Sequence, residues 1–431
     1  MKLYHLFSLG SLFAFVILLP FIKSPKRFYL LFVLYLLPVM DLPVTPAELG
    51  ALRVFDCVSY LSVLILFKDL VLLKEKNAYN LYYVLFGLLT LFLFLGCLNS
   101  LYIRNSLFSL LGIFPVFIYA KLLIIECTED KNFYKKVLNV LKLVALISIL
   151  FLAIQMLVGL KFTFYTELNR NTVAYSSIRY PSFFHDPQKY GQYLVLLSFI
   201  FLIDYDKLNA PKLLNYALFF IIIAALLQTG GRSALIALFA GMLTLIFVLG
   251  PTYRVIVISV AVVAGITSLF FTDSLLIFNR AKSLDSDLIF RASLWQEAYH
   301  YFLKNPFLGI GIGNYLSYSS MYSNNYYITP ERKVIFFDHP ESGYLLILTE
   351  LGITGAAVIA LFFTLPIIQT VKLNLGSKRS QIVYFFIASI LSWLVTFVSV
   401  YSLNDKRIFV IVVTFISLML VQNQKLKYSH G

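Results

Sequence analysis

Long apolar runs separated by short polar connections dominate the chain. A hydrocarbon core about 30 Å thick takes about 20 apolar residues in a helix, and fewer where flanking groups snorkel. By that measure about thirteen runs qualify: 3–22, 27–40, 54–73, 79–98, 106–125, 137–159, 190–204, 213–229, 233–249, 254–271, 341–371, 381–400 and 406–422. The second and seventh are short enough to be re-entrant or interfacial, and no repeat of 20–50 residues is visible. The expected fold class is therefore all-α: a polytopic integral membrane protein with about 12–13 transmembrane helices and one large, partly helical external loop. Four segments follow from the spacing. Residues 1–160 form N-terminal transmembrane helices, and 161–272 form central ones preceded by an external loop at 161–189. Residues 273–340 form the large external loop, and 341–431 hold the C-terminal helices and a short cytoplasmic tail.

Composition agrees with this pattern. Hydrophobic types make up 60% of the 431 residues and charged ones 13%, against roughly 25% charged in soluble domains, so there are too few charges to cover water-facing surfaces. The net charge of +14 suggests a nucleic-acid footprint until it is placed on the chain. Much of it falls in connections on one side: Lys23, Lys26 and Arg27; Lys68, Lys74 and Lys76; Lys131, Lys135 and Lys136; Lys207 and Lys212; Lys372, Lys378 and Arg379; and Lys425 and Lys427. That is the positive-inside pattern, and it assigns those connections to the cytoplasm. The alternate connections, 41–53, 99–105, 161–189, 229–232 and 273–340, are then external, and nucleic acid is not an expected partner. The last of these spans 68 residues and is rich in Tyr, Trp and Phe, which argues for a functional element over a disordered one. Cys57, Cys97 and Cys127 have no short spacing and read as free thiols in apolar surroundings. The run from Leu6 to Ile22 lacks a small-residue cleavage site and is followed by Lys23, Pro25, Lys26 and Arg27, so it reads as a first span and not a removed signal.

Four polar groupings stand on the external side. RYPSFFHDPQKYGQYL, Arg179 to Leu194, leads into a span and leaves Arg179, His185, Asp186 and Lys189 at its mouth, either as an interfacial anchor or as part of a site. QTGGRSALIAL, Gln228 to Leu238, joins two apolar helices with almost no loop, which holds Arg232 near the headgroup level, where a charge is either functional or snorkelling. In RASLWQEAYHYFLKNPFLGIGIGNY, Arg291, Trp295, Ala298 and Phe302 recur at helical spacing, Asn305 and Pro306 end the helix, and Gly309, Gly311 and Gly313 punctuate the backbone beyond it. That G-x-G-x-G follows a helix instead of opening one after a strand, so it is no dinucleotide fingerprint. FFDHPESGYLLILTELGITGA, Phe336 to Ala356, places Asp338, His339 and Glu341 just before a long span. Acids there match a helix dipole, but a histidine between them can accept a proton near neutrality.

In the order of these parts the chain resembles the O-antigen ligase and polymerase family, multi-span glycosyltransferases that act on polyprenyl-diphosphate-linked glycans at the external face. The likeness rests on R-x-x-x-F-x-x-P (Arg179, Phe183 or Phe184, Pro187), the arginine-bearing hairpin (Arg232) and R-x-x-x-W (Arg291, Trp295). It continues in N-P-x-x-G-x-G-x-G-N (Asn305 to Asn314) and in a histidine before Y-L-x-x-L-x-E-x-G-x-x-G (Tyr344 to Gly355). The matches cover roughly the second half, and the first six spans match only in being apolar. Two departures stand out. The family pattern H-N-x-Y-L puts its histidine three residues before the aromatic, whereas His339 lies five before Tyr344 and Glu341 is closer; and the hairpin reads G-G-R-S instead of S-R-G.

The chemistry required can be stated without the family. A sugar on a polyprenyl diphosphate already carries a good leaving group, so the enzyme must stabilise a departing diphosphate and take a proton from an acceptor hydroxyl. Arginine suits the first task because its fork binds phosphate oxygens bidentately. Arg179, Arg232 and Arg291 are the candidates for diphosphate binding, and His339 is the candidate base, with Glu341 as its substitute or orienter. No metal or other cofactor is expected, since Asp285 and Asp287 form a D-x-D in letter only. The resemblance implies donor and acceptor on polyprenyl diphosphate, a site facing the periplasm from a bacterial inner membrane, surrounding membrane lipids, and a chain-length regulator as a possible partner. A polymerase joining repeat units is the expected activity. A ligase transferring glycan to the lipid A core is the alternative, and a polysaccharide flippase is the rival of another class. Transporters usually have pseudo-symmetric halves, and none would require a long external loop bearing an arginine and a histidine.

Overall fold

In a computed structural model the described residues are 3–45, 52–72, 80–165, 168–169, 172–174, 177–203, 212–248, 254–255, 258–259, 262, 284–328, 332, 334–374 and 381–428. Apart from the few positions just given, the expected span 254–271 and residues 273–283 of the long connection lie outside them.

The chain is all-α and polytopic. In order the helices are α1 (Leu3–Leu18), α2 (Pro25–Tyr35), α3 (Val54–Leu72), α4 (Asn80–Leu98), α5 (Ile103–Leu111), α6 (Phe114–Glu129) and α7 (Lys131–Val158). After them come α8 (Pro187–Ser198), α9 (Lys212–Gln228), α10 (Arg232–Val248), α11 (Leu284–Lys304), α12 (Tyr315–Tyr322), α13 (Gly343–Asn374), α14 (Gln381–Phe397) and α15 (Lys406–Tyr428). Among the described residues five stretches are long and apolar enough to cross a membrane: 81–98, 103–129, 131–158, 343–374 and 406–424. Shorter apolar helices cover 5–21, 54–64, 213–228, 232–246 and 382–397. The expected run 106–125 is divided between α5 and α6 around Gly112 and Ile113, and the helix expected to carry Arg291 to Phe302 and end at Asn305 and Pro306 is α11. All three cysteines are free.

Two local features position the site. The first is α15, whose 406–424 stretch is wholly buried. Polar groups within a membrane need protein partners, and α15, with Thr414, Asn423 and charges at its head, packs among α6, α8, α13 and α14, with Tyr119 and Thr414 hydroxyls 2.9 Å apart and Asn423 donating to Thr370 Oγ1 at 2.7 Å. The second is a break in α13 at Gly352 (φ +64°, ψ −173°). An interrupted helix leaves backbone groups that must be satisfied by protein where no water is at hand. The connection after α11 does this. Ile353 N–H donates to Pro306 O at 2.8 Å, and the N–H groups of Ile310 and Gly311 donate to Thr349 O and Glu350 O at 3.0 and 2.9 Å. The two backbones approach so closely that a Cβ at Gly352 would lie 2.2 Å from Phe307 O, and one at Gly309 (φ +68°) would lie 2.3 Å from the Glu350 carbonyl carbon. The glycines read from sequence as punctuation are thus contact points between a loop and a broken span. The hairpin of β1 (Tyr326–Ile328) and β2 (Val334–Phe336), antiparallel with Tyr326 opposite Phe336, completes the layer that α11 and α12 lay over this end of the bundle.

Candidate functional site

The connections assigned to the outside by charge meet at one end of the bundle and bind one another. Asn99 Nδ2 donates to Gly309 O at 2.6 Å, the Tyr102 N–H donates to Asn314 Oδ1 at 3.0 Å, and the Lys406 N–H donates to Asp41 Oδ1 at 3.0 Å. At the opposite end, Arg27 joins Glu126 and Asp130 at 2.8 Å each. Under α15 lies a buried ionic network with three acids and three bases. Arg407 grips both oxygens of Asp405 (2.8 and 2.6 Å), donates to Phe183 O at 2.8 Å and covers the Phe184 ring at 3.8 Å. Arg53 pairs with Asp41, and Lys406 lies 3.2 Å from Asp56 and donates to Gly112 O at 2.5 Å. Each buried charge has a partner, as its removal from water requires. The network locks the α2–α3 connection, the α5–α6 break and the segment before α8 around the head of α15.

A cavity of about 600 Å³ opens at this end, within the 300–1,000 Å³ typical of small-molecule sites. Its walls are divided. Arg53, Arg104, Lys189, His339, Asn404 and Lys406, with the acids Asp56 and Asp338, supply the polar mouth, and Leu89, Leu93, Ile359, Phe362, Phe363 and Phe409, all on α4, α13 and α15, supply an apolar floor. Glu350, in the membrane-crossing α13, reaches the wall with its carboxylate accepting the Tyr315 N–H at 3.1 Å, which fixes the start of α12.

His339 lies in the connection between β2 and α13, which turns sharply at Glu341 (φ +51°). A positive φ is uncommon for a non-glycine residue and collects at functional sites. Asp338 Oδ1 is 2.6 Å from His339 Nδ1, while Glu341 Oε1 is 4.0 Å from Nε2. Glu341 instead faces Arg291 of α11, Oε2 to Nη2 3.6 Å. The orienting contact expected of Glu341 therefore comes from Asp338, with Glu341 between the imidazole and Arg291. Burial pulls the His339 pKa down, but the hydrogen bond and charge of Asp338 and the charge of Glu341 outweigh it and raise it above the usual histidine value. Burial pushes Asp338 up, and it is overcome by the hydrogen bond and charge of His339 and by Lys189, which hold the carboxyl at about 2. His185, depressed chiefly by burial, sits apart against Tyr165, and Asp186 caps α8 by accepting the Gln188 N–H at 2.8 Å.

Two of the three expected arginines, Arg179 and Arg232, stand at the α9–α10 hairpin, and the third, Arg291, stands with the histidine cluster. Arg179 is fully buried, with Nε donating to Thr229 O at 2.7 Å and its side chain against Gly230, so it braces the α9–α10 hairpin. Arg232 is the half-buried first residue of α10. Arg291 alone reaches the histidine cluster, through Glu341, and none of the three lines the cavity. Of the cations that do line it, Lys189 was named at the mouth of its span, whereas Arg53, Arg104 and Lys406 were not among the expected site residues. Their signal in the sequence is that they are basic residues in or beside connections the charge rule assigns to the outside.

Membrane-crossing helices around a cavity with a polar, imidazole-bearing mouth and an apolar floor define a polytopic membrane protein with an amphipathic ligand site. Residues 217–360, from α9 into α13, match the family model described as O-antigen ligase, in line with the resemblance that the motifs carry. No curated protein matches the chain. The match supports an O-antigen ligase or polymerase type of function for this region.

Proposed function

We propose that the chain is a surface-polysaccharide polymerase that joins oligosaccharide repeat units carried on polyprenyl diphosphate, at the external face of the inner membrane and without a metal. The observation that carries this reading is the division of the cavity: an apolar floor on three membrane-spanning helices suits an isoprenoid tail, and a charged mouth with four cations beside Asp56 and Asp338 suits a diphosphate and the sugar it carries. His339, oriented by Asp338, takes the proton of the acceptor hydroxyl as that oxygen attacks the anomeric carbon and the diphosphate departs with the bonding pair. Arg291, held through Glu341, is the expected arginine nearest this event and helps neutralise the charge that develops. Arg179 and Arg232 serve the same site by holding the α9–α10 hairpin and the start of α10.

A ligase that moves finished glycan to the lipid A core is the second reading, favoured by the description of the matching family. Deleting the gene and resolving the surface polysaccharide on a gel separates the two. Single repeat units on the lipid core mean a polymerase, polymer accumulating on the carrier lipid means a ligase, and an unaltered ladder refutes both.

A further inference from the structure

We propose that Asn325 and Glu297 are positioning residues: together they clamp the hairpin of β1 and β2 onto α11 and so fix where His339 stands against Arg291. The inference rests on the role of base given to His339 above. The clamp is one amide held at both ends. Asn325, which precedes β1, donates from Nδ2 to Glu297 Oε2 at 2.7 Å, and its Oδ1 lies 3.2 Å from the Ser293 hydroxyl. Glu297 is itself held, because its other oxygen accepts the buried Tyr301 hydroxyl at 2.7 Å. Ser323 fixes the backbone of the same asparagine: its hydroxyl lies 2.9 Å from Asn325 N and 3.1 Å from Asn325 O. A hydrogen bond to an ionised acceptor is about twice as strong as one between neutral groups, which makes the Asn325–Glu297 contact the firmest of these.

The hairpin leaves on the same side of α11 that it enters. Phe290, Ser293, Glu297 and Tyr301 recur at three- and four-residue steps and share one helix face. Tyr326, next after the clamp, pairs with Phe336, and Phe337 then packs its ring on Phe290 with centroids 5.1 Å apart. Asp338 and His339 follow at once, and Glu341 reaches Arg291 at 3.6 Å. One face of one helix therefore receives both ends of the hairpin, and the strand pair between them sets the distance from Arg291 to the base. Ser293, Glu297 and Asn325 do not line the cavity, so a change there reaches the reaction through the placement of His339. A base has to stay within hydrogen-bond reach of the proton it takes, and a shift of about 1 Å can cost about 10²-fold in rate.

The test uses the full-length protein in nanodiscs and two measurements: turnover of lipid-linked repeat units, resolved into kcat and KM, and hydrogen exchange of the β1 and β2 amides. Asn325→Asp sets a carboxylate against Glu297 and breaks the clamp. Its kcat should fall roughly ten- to a hundredfold with KM within about twofold of the parent, and β1 and β2 should exchange faster. Adding Glu297→Gln reverses donor and acceptor across the same contact: the amide introduced at position 297 donates to the carboxylate at 325, while its oxygen keeps the Tyr301 hydroxyl. The double variant should recover most of kcat and the parent exchange rates, which a general folding defect would not allow. Parent-like kcat in Asn325→Asp overturns the positioning role, and so does a double variant as slow as the single one. Unaltered exchange in Asn325→Asp overturns the clamp itself. A parent protein that turns over no lipid-linked glycan overturns the reading of the site and the positioning role with it, and the exchange rates then still report whether the clamp exists.

Discussion

The pairing of Asp338 with His339 makes a quantitative demand on the pH dependence of glycan transfer. His339→Ala should remove the whole general-base contribution, a factor of about 10² to 10⁴. Asp338→Asn should remove only the part that orients and strengthens the imidazole. A hydrogen bond to a charged group is worth about 1.5–3 kcal/mol. The Asp338 side chain, however, is 71% exposed, and solvent screening brings the contribution to about 1 kcal/mol, or about fivefold in the maximal rate. The carboxylate raises the His339 pKa, so the base becomes neutral and competent only above a raised value. Without the carboxylate the value falls, and the acid limb of the rate profile must move to lower pH while the plateau drops. Glu341→Gln should shift the limb in the same direction but less, because its oxygen is 4.0 Å from the ring against 2.6 Å for Asp338. Purified protein in proteoliposomes, given lipid-linked repeat units across a pH series, reports limb and plateau separately. An unmoved limb in Asp338→Asn together with a dead Glu341→Gln would make residue 341 the base and refute the dyad.

Arg291→Lys keeps the charge but loses the planar fork, and polymer on a gel should fall to a small fraction of normal at equal protein level; near-normal polymer would reduce Arg291 to an anchor. Gly309→Ala places a Cβ 2.3 Å from the Glu350 carbonyl carbon at φ +68°, so positive-φ strain and overpacking should together cost roughly 2–6 kcal/mol and lower the melting temperature of the purified protein. With the native cysteines replaced, a cysteine at exposed Ser320 should react with an impermeant thiol reagent in intact spheroplasts and one at Ser319, 2% exposed, should not; reaction at 320 only after lysis would invert the topology.

The helices were legible because a membrane imposes one length and one chemistry, which hydropathy reads directly. The division of α5 from α6 was not, since Gly112 and Ile113 interrupt the helix without interrupting the apolar run. His339 and the order of motifs were found from residue types in sequence. What the glycines of 309–313 do was not, because Gly309 meets Gly352 and Glu350 and Gly311 meets Ser100 and Ser106, partners far away in the chain. Asp338 was assigned to helix-dipole matching, since a contact between neighbours depends on the local turn. The largest gap was in the first half, where Arg53 and Arg104 stand among external connections against the positive-inside trend, a deviation that carries information because basic residues there need another reason to be present.

The enclosure of α15 bears on how the protein is made. The helices around it, α6, α8, α13 and α14, all leave the ribosome before it does, yet it occupies their centre and carries Asp405, Lys406 and Arg407 at its head. During synthesis those helices precede the one they enclose, and Asp56 waits for its partner Lys406 while Asp41 already has Arg53. The bundle is therefore complete only once the late helix is in place, after the residues up to 424 have been made.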